Sequence, residues 1–355
     1  MVIKMIKVLH YYTQFNTGGT EKVIFSILHG LNKAKFDCYF LAQYSGTDDD
    51  KLKQIGVKVH YIQDSKNFEI ELFNYLRQNH FDVIHVHNCQ EMGKVLKIAK
   101  KVGIKMRIVH SHVARADLNK FFWILKAIKS YSAIKYANTY FACSDEAAKW
   151  LFPTKYNQRV IIRNGIDINR FKFNALKRES VRKKYGLNGY FVCCVVARLE
   201  KQKNISFLVK LIKKYYTNKK VKMLIVGSGT QENSLKRLVK KLNVDNQIIF
   251  LGKRENVEDF LSASDIFLFP SKYEGLGISA VEAQYNGLFV LASKNIPIVT
   301  DIGEKKIKYL PFNLLQWKKE IDKKMKSFKL FNRNVNSKIY DCRQIFKVIE
   351  NEYNK

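Results

Sequence analysis

Short runs of consecutive apolar residues recur along the chain, separated by longer segments in which apolar and polar positions alternate at helical spacing. Lys7–Tyr12, Phe36–Ala42, Val57–Ile62, the DVIHVHN run ending at Asn88, the RIVHSH run ending at His112 and the YFAC run ending at Cys143 read as strands. So do Tyr190–Ala197, Met223–Val226, Ile248–Leu251, Ile266–Phe269 and Phe289–Ala292. Unbroken apolar character is what a strand covered on both faces requires, so these runs suit the interior of parallel sheets. Helical patterns lie between them, at Lys22–Leu31, at 231–242, and from near Ile278 to a stop at Asn286-Gly287. Ser144 or Asp145 is placed to cap a helix running to Leu151, and helices over Leu315–Lys326 and Ser337–Tyr353 finish the chain. Strands alternate with helices on both sides of residue 170. The pattern therefore predicts an α/β protein of two doubly wound parallel sheets, the first domain over 1–170 and the second over 171–336. Residues 171–189 read as basic and loop-like, and 294–312 as no clear element.

The segment from Ser264 to Ser293 concentrates the candidate chemistry. Glu274-Gly275-Leu276-Gly277 stands between a buried strand and a helix, so free N–H groups and the positive helix end can meet an anion that the missing glycine side chains let approach. Glu274 and Glu282 flank that start and can bracket a ligand bearing hydroxyls, although their spacing alone fits equally a dipole partner and a solvated helix face. A second glycine loop, Thr17-Gly18-Gly19-Thr20-Glu21, opens the first helix. It has neither the dinucleotide fingerprint nor the P-loop lysine, which argues against a Rossmann dehydrogenase. Past the Tyr190–Ala197 strand, Arg198 and Lys203 stand five residues apart, a guanidinium and an ammonium able to grip two phosphates.

Two His-x-His pairs, ending at His87 and His112, lie at the carboxyl ends of strands, where open α/β sheets bind ligands. Four histidines allow a metal site, but no carboxylate with ligand spacing stands beside them. His85 reads as a core residue. Asp48-Asp49-Asp50 reads as a capped, solvated turn.

The 355 residues carry 63 basic and 31 acidic side chains, a net charge of +32 shared by both halves. Such a surface suits an anionic membrane or a polyanion. A nucleic-acid-binding protein is a competing class, but the aromatics sit within strands and helices and are not interleaved with exposed basic groups. No apolar run approaches the roughly 18 residues of a membrane span, and the N-terminus shows no cleavage site, so a cytoplasmic place is expected. The six cysteines form no CxxC pair and read as reduced thiols.

Glu274, Gly275, Glu282, Ala283, Gly287 and Val290 resemble the Glu-x7-Glu signature of family 4 of the retaining GT-B glycosyltransferases, with Leu288-Phe289 where the family usually has Leu-Pro. The Gly18-Gly19 loop, Arg198-Leu199 with Lys203, and Arg163-Asn164-Gly165-Ile166-Asp167 match further family segments, so the resemblance spans nearly the whole chain. It looks closest to members that build capsular polysaccharide or exopolysaccharide. It implies two Rossmann-like domains facing across a cleft, with the last helix, 337–355, packed back on the first. It implies transfer from a nucleotide-sugar, of UDP type, to a lipid-linked or glycan acceptor, without a metal or other cofactor. It also implies a place at the inner face of the membrane. In this pattern Gly18, Gly19, Arg198, Lys203, Glu274, Gly275, Leu276, Gly277, Ile278 and Glu282 hold the donor. His112, with His110 second, stands near the reacting sugar, and His112, Arg198, Lys203 and Glu274 are catalytic. A sugar-nucleotide epimerase of the same fold is the nearest alternative. The basic, aromatic segment Lys120–Ala137 is the candidate membrane contact.

Overall fold

The computed structural model describes residues 5–16, 18–87, 91–112, 130–327 and 333–355. The chain forms two compact units, residues 1–166 with 341–355, and residues 167–340. The boundary expected near residue 170 thus falls a few residues earlier, and the last helix begins at Cys342, not at Ser337.

The first unit is built on one parallel sheet of β1 (Ile6–Tyr11), β2 (Phe36–Ala42), β3 (Lys58–Tyr61), β4 (Val83–His87), β5 (Met106–Ser111), β6 (Thr139–Ala142) and β7 (Arg159–Ile161), in the order β3-β2-β1-β4-β5-β6-β7. The order reverses between β1 and β4. One face carries a core of Leu9, Ile84, Val86 and Val109 packed against Leu72, Leu76, Val95 and Leu96. The helices follow local chemistry: Ser144 accepts the N–H of Ala147 and caps the helix Asp145–Leu151, as its position predicts. The helix Cys342–Tyr353 belongs to this unit, entered through a backbone bond from Cys342 N–H to Ile166 O.

The second unit repeats the scheme with β8 (Phe191–Val196), β9 (Val221–Val226), β10 (Ile248–Gly252), β11 (Ile266–Phe269), β12 (Phe289–Ser293) and β13 (Ile307–Leu310), all parallel and ordered β10-β9-β8-β11-β12-β13. Here the reversal falls between β8 and β11. Cys193, Val195, Leu208, Leu211, Ile225, Leu268 and Trp317 form the core on one face. The four buried thiols Cys38, Cys143, Cys193 and Cys194 are free, and burial pushes each upward, that of Cys38 to about 11 and those of Cys143 and Cys194 to about 12. They are inert packing groups.

Three further sequence expectations are corrected. Residues 175–184, read as loop, form a helix whose Arg178 and Arg182 pair with the buried Asp265 and cap the carbonyls of Ser262, Ala263 and Ser264. The stretch 294–312 contains β13. Asp49, read as solvated, is 5% exposed and accepts hydrogen bonds from Gly46 N–H and Tyr61 O–H, both at 2.6 Å. Most of the Lys120–Ala137 segment lies outside the described residues.

Candidate active site

In open α/β sheets the carboxyl ends of the two strands flanking the order reversal splay their loops apart, leaving a crevice. In the second unit those strands are β8 and β11, and the sequence-predicted donor residues follow directly on them. Arg198 is exposed and Lys203 partly buried in the loop after β8; Glu274, Gly275, Leu276, Gly277 and Ile278 follow β11.

The loop after β8 is held by Leu199, fully buried in the core, while Leu199 N–H donates to Ser228 O at 2.9 Å. Gly227 has φ +130°, and a Cβ there would sit 1.9 Å from Ala197 O, so only glycine lets the two loops approach this closely. Glu200 accepts from Thr230 N–H and Thr230 O–H, at 3.2 and 2.6 Å. Across the switch point Gln202 donates to Tyr273 O at 2.7 Å, and Lys272 N–H donates to Gln202 O at 2.8 Å. Lys203 Nζ meets Glu274 Oε1 at 2.5 Å, with 15% and 9% of the two side chains exposed. The sequence reading assigned these two to separate contacts; the structure makes them one ion pair.

The helix Ile278–Tyr285 starts at Gly277, whose φ of +83° is unfavourable for other residues and which has no side chain with which to cap it. Gln284, fully buried, locks the helix by donating to Ala280 O and Thr300 O and accepting from Ile302 N–H. Glu282 lies half-buried on its second turn. Arg170, which the sequence reading missed, donates to Glu258 at 2.9 Å and is held above its ordinary range by that bond, with Glu282 adding to the field.

Gly18, Gly19 and His112 belong to the first unit. The helix there starts at Gly19, and a Cβ on Gly18 would lie 2.2 Å from Glu21 Oε2, so an acidic side chain lies over the glycine. His112 does not stand alone. His10 on β1, His85 and His87 on β4, and His110 and His112 at the end of β5 are all buried, and the C-terminal helix adds Tyr353. Sequence reading found four of these histidines and missed His10 and Tyr353; a lone histidine within an apolar strand gives no sign of partners. Burial pushes the His10 and His112 imidazoles down to about 3, and those of His85, His87 and His110 well below their ordinary value. All five are neutral. His10, His85 and His87, and separately His87, His110 and His112, lie close enough to share a metal ion, but their ring nitrogens are largely engaged with one another.

Residues 17–170 match the family model "Glycosyltransferase Family 4" and residues 177–310 match "Glycosyl transferases group 1". The capsular polysaccharide biosynthesis glycosyltransferase CapH of Staphylococcus aureus is 27% identical over 306 residues, 81% of each chain. An Escherichia coli UDP-Gal:alpha-D-GlcNAc-diphosphoundecaprenol alpha-1,3-galactosyltransferase is 25% identical over 307 residues, 81% of this chain and 79% of its own. Among solved structures, Anabaena Alr3699/HepE in complex with UDP superposes with a TM-score of 0.86 at 17% identity, covering 98% of this chain and all of the other. With the two sheets and these matches, the chain belongs to the family 4 glycosyltransferases and has the GT-B fold.

Proposed function

We propose that the chain transfers a sugar, with retention, from a UDP-sugar to a lipid-linked acceptor in cell-surface polysaccharide synthesis. The observation that carries this reading is the placement, on the loops that follow β8 and β11 at the switch point, of two cations, one of them paired with a carboxylate, and a helix start opened by glycine. A departing diphosphate develops charge that Arg198, Lys203 and the amides at 275–278 are placed to stabilise. Lys203, already fixed by Glu274, needs little ordering on binding. Glu274 and Glu282 offer acceptors to donor hydroxyls, Gly18 and Gly19 offer backbone to the phosphates, and His112 is the first unit's polar group for the reacting sugar. On this reading the cations do the work a metal would do elsewhere, and no cofactor is needed. The relatives' UDP-linked donor and diphosphoundecaprenol acceptor support the choice of substrate classes.

Incubation with UDP-, GDP- and ADP-sugars and an undecaprenyl-diphosphate-sugar acceptor, with and without EDTA, tests it. Transfer from one UDP-sugar, unchanged by EDTA, is the expected result. Acceptor-free conversion of the UDP-sugar would instead establish the epimerase, and activity lost to EDTA and restored by Mn²⁺ would remove the metal-free reading.

Among the described residues no helix is long and apolar enough to cross a membrane. A lipid-linked acceptor must then be met at a surface, where each well-placed Lys or Arg adds about 1 kcal/mol of attraction to an anionic leaflet. The protein should co-sediment with vesicles containing anionic lipid, release at high salt, and bind less as Lys126→Glu with Lys129→Glu. Equal binding to neutral vesicles would make the charge of +32 irrelevant to docking.

A further inference from the structure

The buried histidines of the first unit form a single chain of hydrogen bonds. His112 Nε2 meets His87 Nδ1 at 2.8 Å, and His87 Nε2 meets His10 Nδ1 at 3.0 Å. His10 Nε2 meets the Tyr353 hydroxyl at 3.2 Å, and that hydroxyl meets His85 Nδ1 at 2.6 Å. His85 Nε2 then meets His110 Nδ1 at 3.0 Å. The chain ends at His112 Nδ1 and His110 Nε2, both buried and without a partner among the described residues, and these two rings lie only 4.0 Å apart between centroids. The path thus doubles back, and its two open ends are neighbours at the carboxyl end of β5.

Every imidazole-to-imidazole link joins the Nδ1 of one ring to the Nε2 of the next, and the tyrosine, a donor and an acceptor, joins an Nε2 to an Nδ1 in the same sense. A neutral imidazole has one N–H and one lone pair. Two proton arrangements therefore satisfy all the links with the tyrosine both donating and accepting. In one, all five rings carry the proton on Nε2, and His110 presents a free N–H beside a lone pair on His112. In the other, all five carry it on Nδ1, and His112 presents the N–H. A mixed set within His10/His87/His112 or within His85/His110 places two donors or two acceptors face to face. One split at Tyr353 either sets two acceptors against its single O–H or has its oxygen accept twice and leaves that buried O–H without an acceptor, which a dry interior does not forgive.

We propose that the five histidines change tautomer only as a unit, with Tyr353 as the coupling link, so that His10, His85, His87, His110 and Tyr353 are positioning residues that set whether His112 donates or accepts. Going from one arrangement to the other moves each proton one step along the chain: one proton enters at one open end and one leaves at the other, and no ring is left charged. A group that both donates and accepts, as a sugar hydroxyl does, satisfies the two ends in either arrangement. A group that only accepts and meets His112 Nδ1 alone holds all five rings in the Nδ1–H state, and one that meets His110 Nε2 alone holds them in the Nε2–H state. The functional consequence rests on the reading of His112 as the first unit's group for the reacting sugar; the ladder itself does not.

Nitrogen-15 shifts of histidine side chains in the full-length protein, labelled at histidine, test both parts, with His29, His60 and His80 as resonances outside the ladder. Five buried neutral rings sharing one tautomer are expected in the wild type; a stable mixture of tautomers among them, or an imidazolium at pH 7, overturns the ladder even if no variant folds. In Tyr353→Phe, of nearly the same volume, the sets His10/His87/His112 and His85/His110 should become independent, with differing or exchange-broadened tautomers. The kcat should fall about tenfold or more with little change in donor KM. An unchanged common tautomer in that variant overturns the coupling through Tyr353. Loss of transfer in His112→Gln supports the functional end of the ladder. Wild-type transfer in His112→Gln beside a common tautomer overturns that end alone, and leaves the donor site of the second unit untouched.

Discussion

Lowering the pH from 7 to 5 weakens the first unit selectively and leaves the second almost unaffected. All eight histidines of the chain lie in residues 1–112, so the 167–340 unit has none. His10 and His112 are held neutral by burial, at about 3 against the ordinary 6.5, and His85, His87 and His110 are lowered in the same direction. Between those values the unfolded chain binds protons that the folded chain refuses, so stability rises with pH in this window. The full contribution is present above about pH 6.5 and is lost as the pH falls toward 3. At pH 5 each such ring has given up about 2 kcal/mol, so His10 and His112 together remove about 4 kcal/mol and the other three add to it. A domain's total stability is only about 5–15 kcal/mol. Calorimetry at pH 7 and 5 should show one transition displaced downward by roughly 8–16 °C or more while the other stays in place. Hydrogen exchange should assign the displaced one to β1, β4 and β5. Equal displacement of both transitions, or none, would mean that these imidazoles are solvated and charged.

The central strands and the glycine-started helix were legible because their signals are local. Ile266–Phe269 and Phe289–Ser293 are unbroken apolar runs, and Gly277 and Gly287 mark both ends of the intervening helix, each with positive φ. The helix 175–184 was not legible, because its buried positions are Val181 and Arg182 and it is anchored by guanidiniums on Asp265, more than 80 residues away, which helical hydrophobic spacing cannot register. β13 is short and half-exposed, so the apolar-run criterion passes over it. In the site, residue types and spacing picked out Arg198, Lys203 and Glu274, but not that Lys203 and Glu274 bond each other across 71 positions of sequence. The same limit hid the histidine chain, closed by Tyr353 on His10 across 343 positions. Pairing at that range is a property of the strand order, which the sequence expresses only through the assembled sheet.

The Lys203–Glu274 pair lets structural and functional contributions be separated in a way Arg198 does not. Arg198 is exposed, so Arg198→Ala should leave the melting temperature of the second unit unchanged and lower kcat/KM by roughly ten- to a hundredfold or more, the cost of a charge-assisted phosphate contact of about 1.5–3 kcal/mol. Lys203→Met removes a similar contact but also strands Glu274, whose side chain is only 9% exposed. Breaking a buried pair costs about 3–5 kcal/mol, because the remaining charge stays uncompensated. That variant should lose both activity and thermal stability. Replacing both partners, Lys203→Met with Glu274→Met, removes the stranded charge, and well-packed apolar replacements of a buried pair are often neutral in stability. The double variant should therefore melt near the wild type while transferring no sugar, since the donor has lost a phosphate partner and a hydroxyl acceptor together. Transfer restored along with stability in the double variant would show that the pair only holds the β8 and β11 loops together and that the donor is gripped elsewhere.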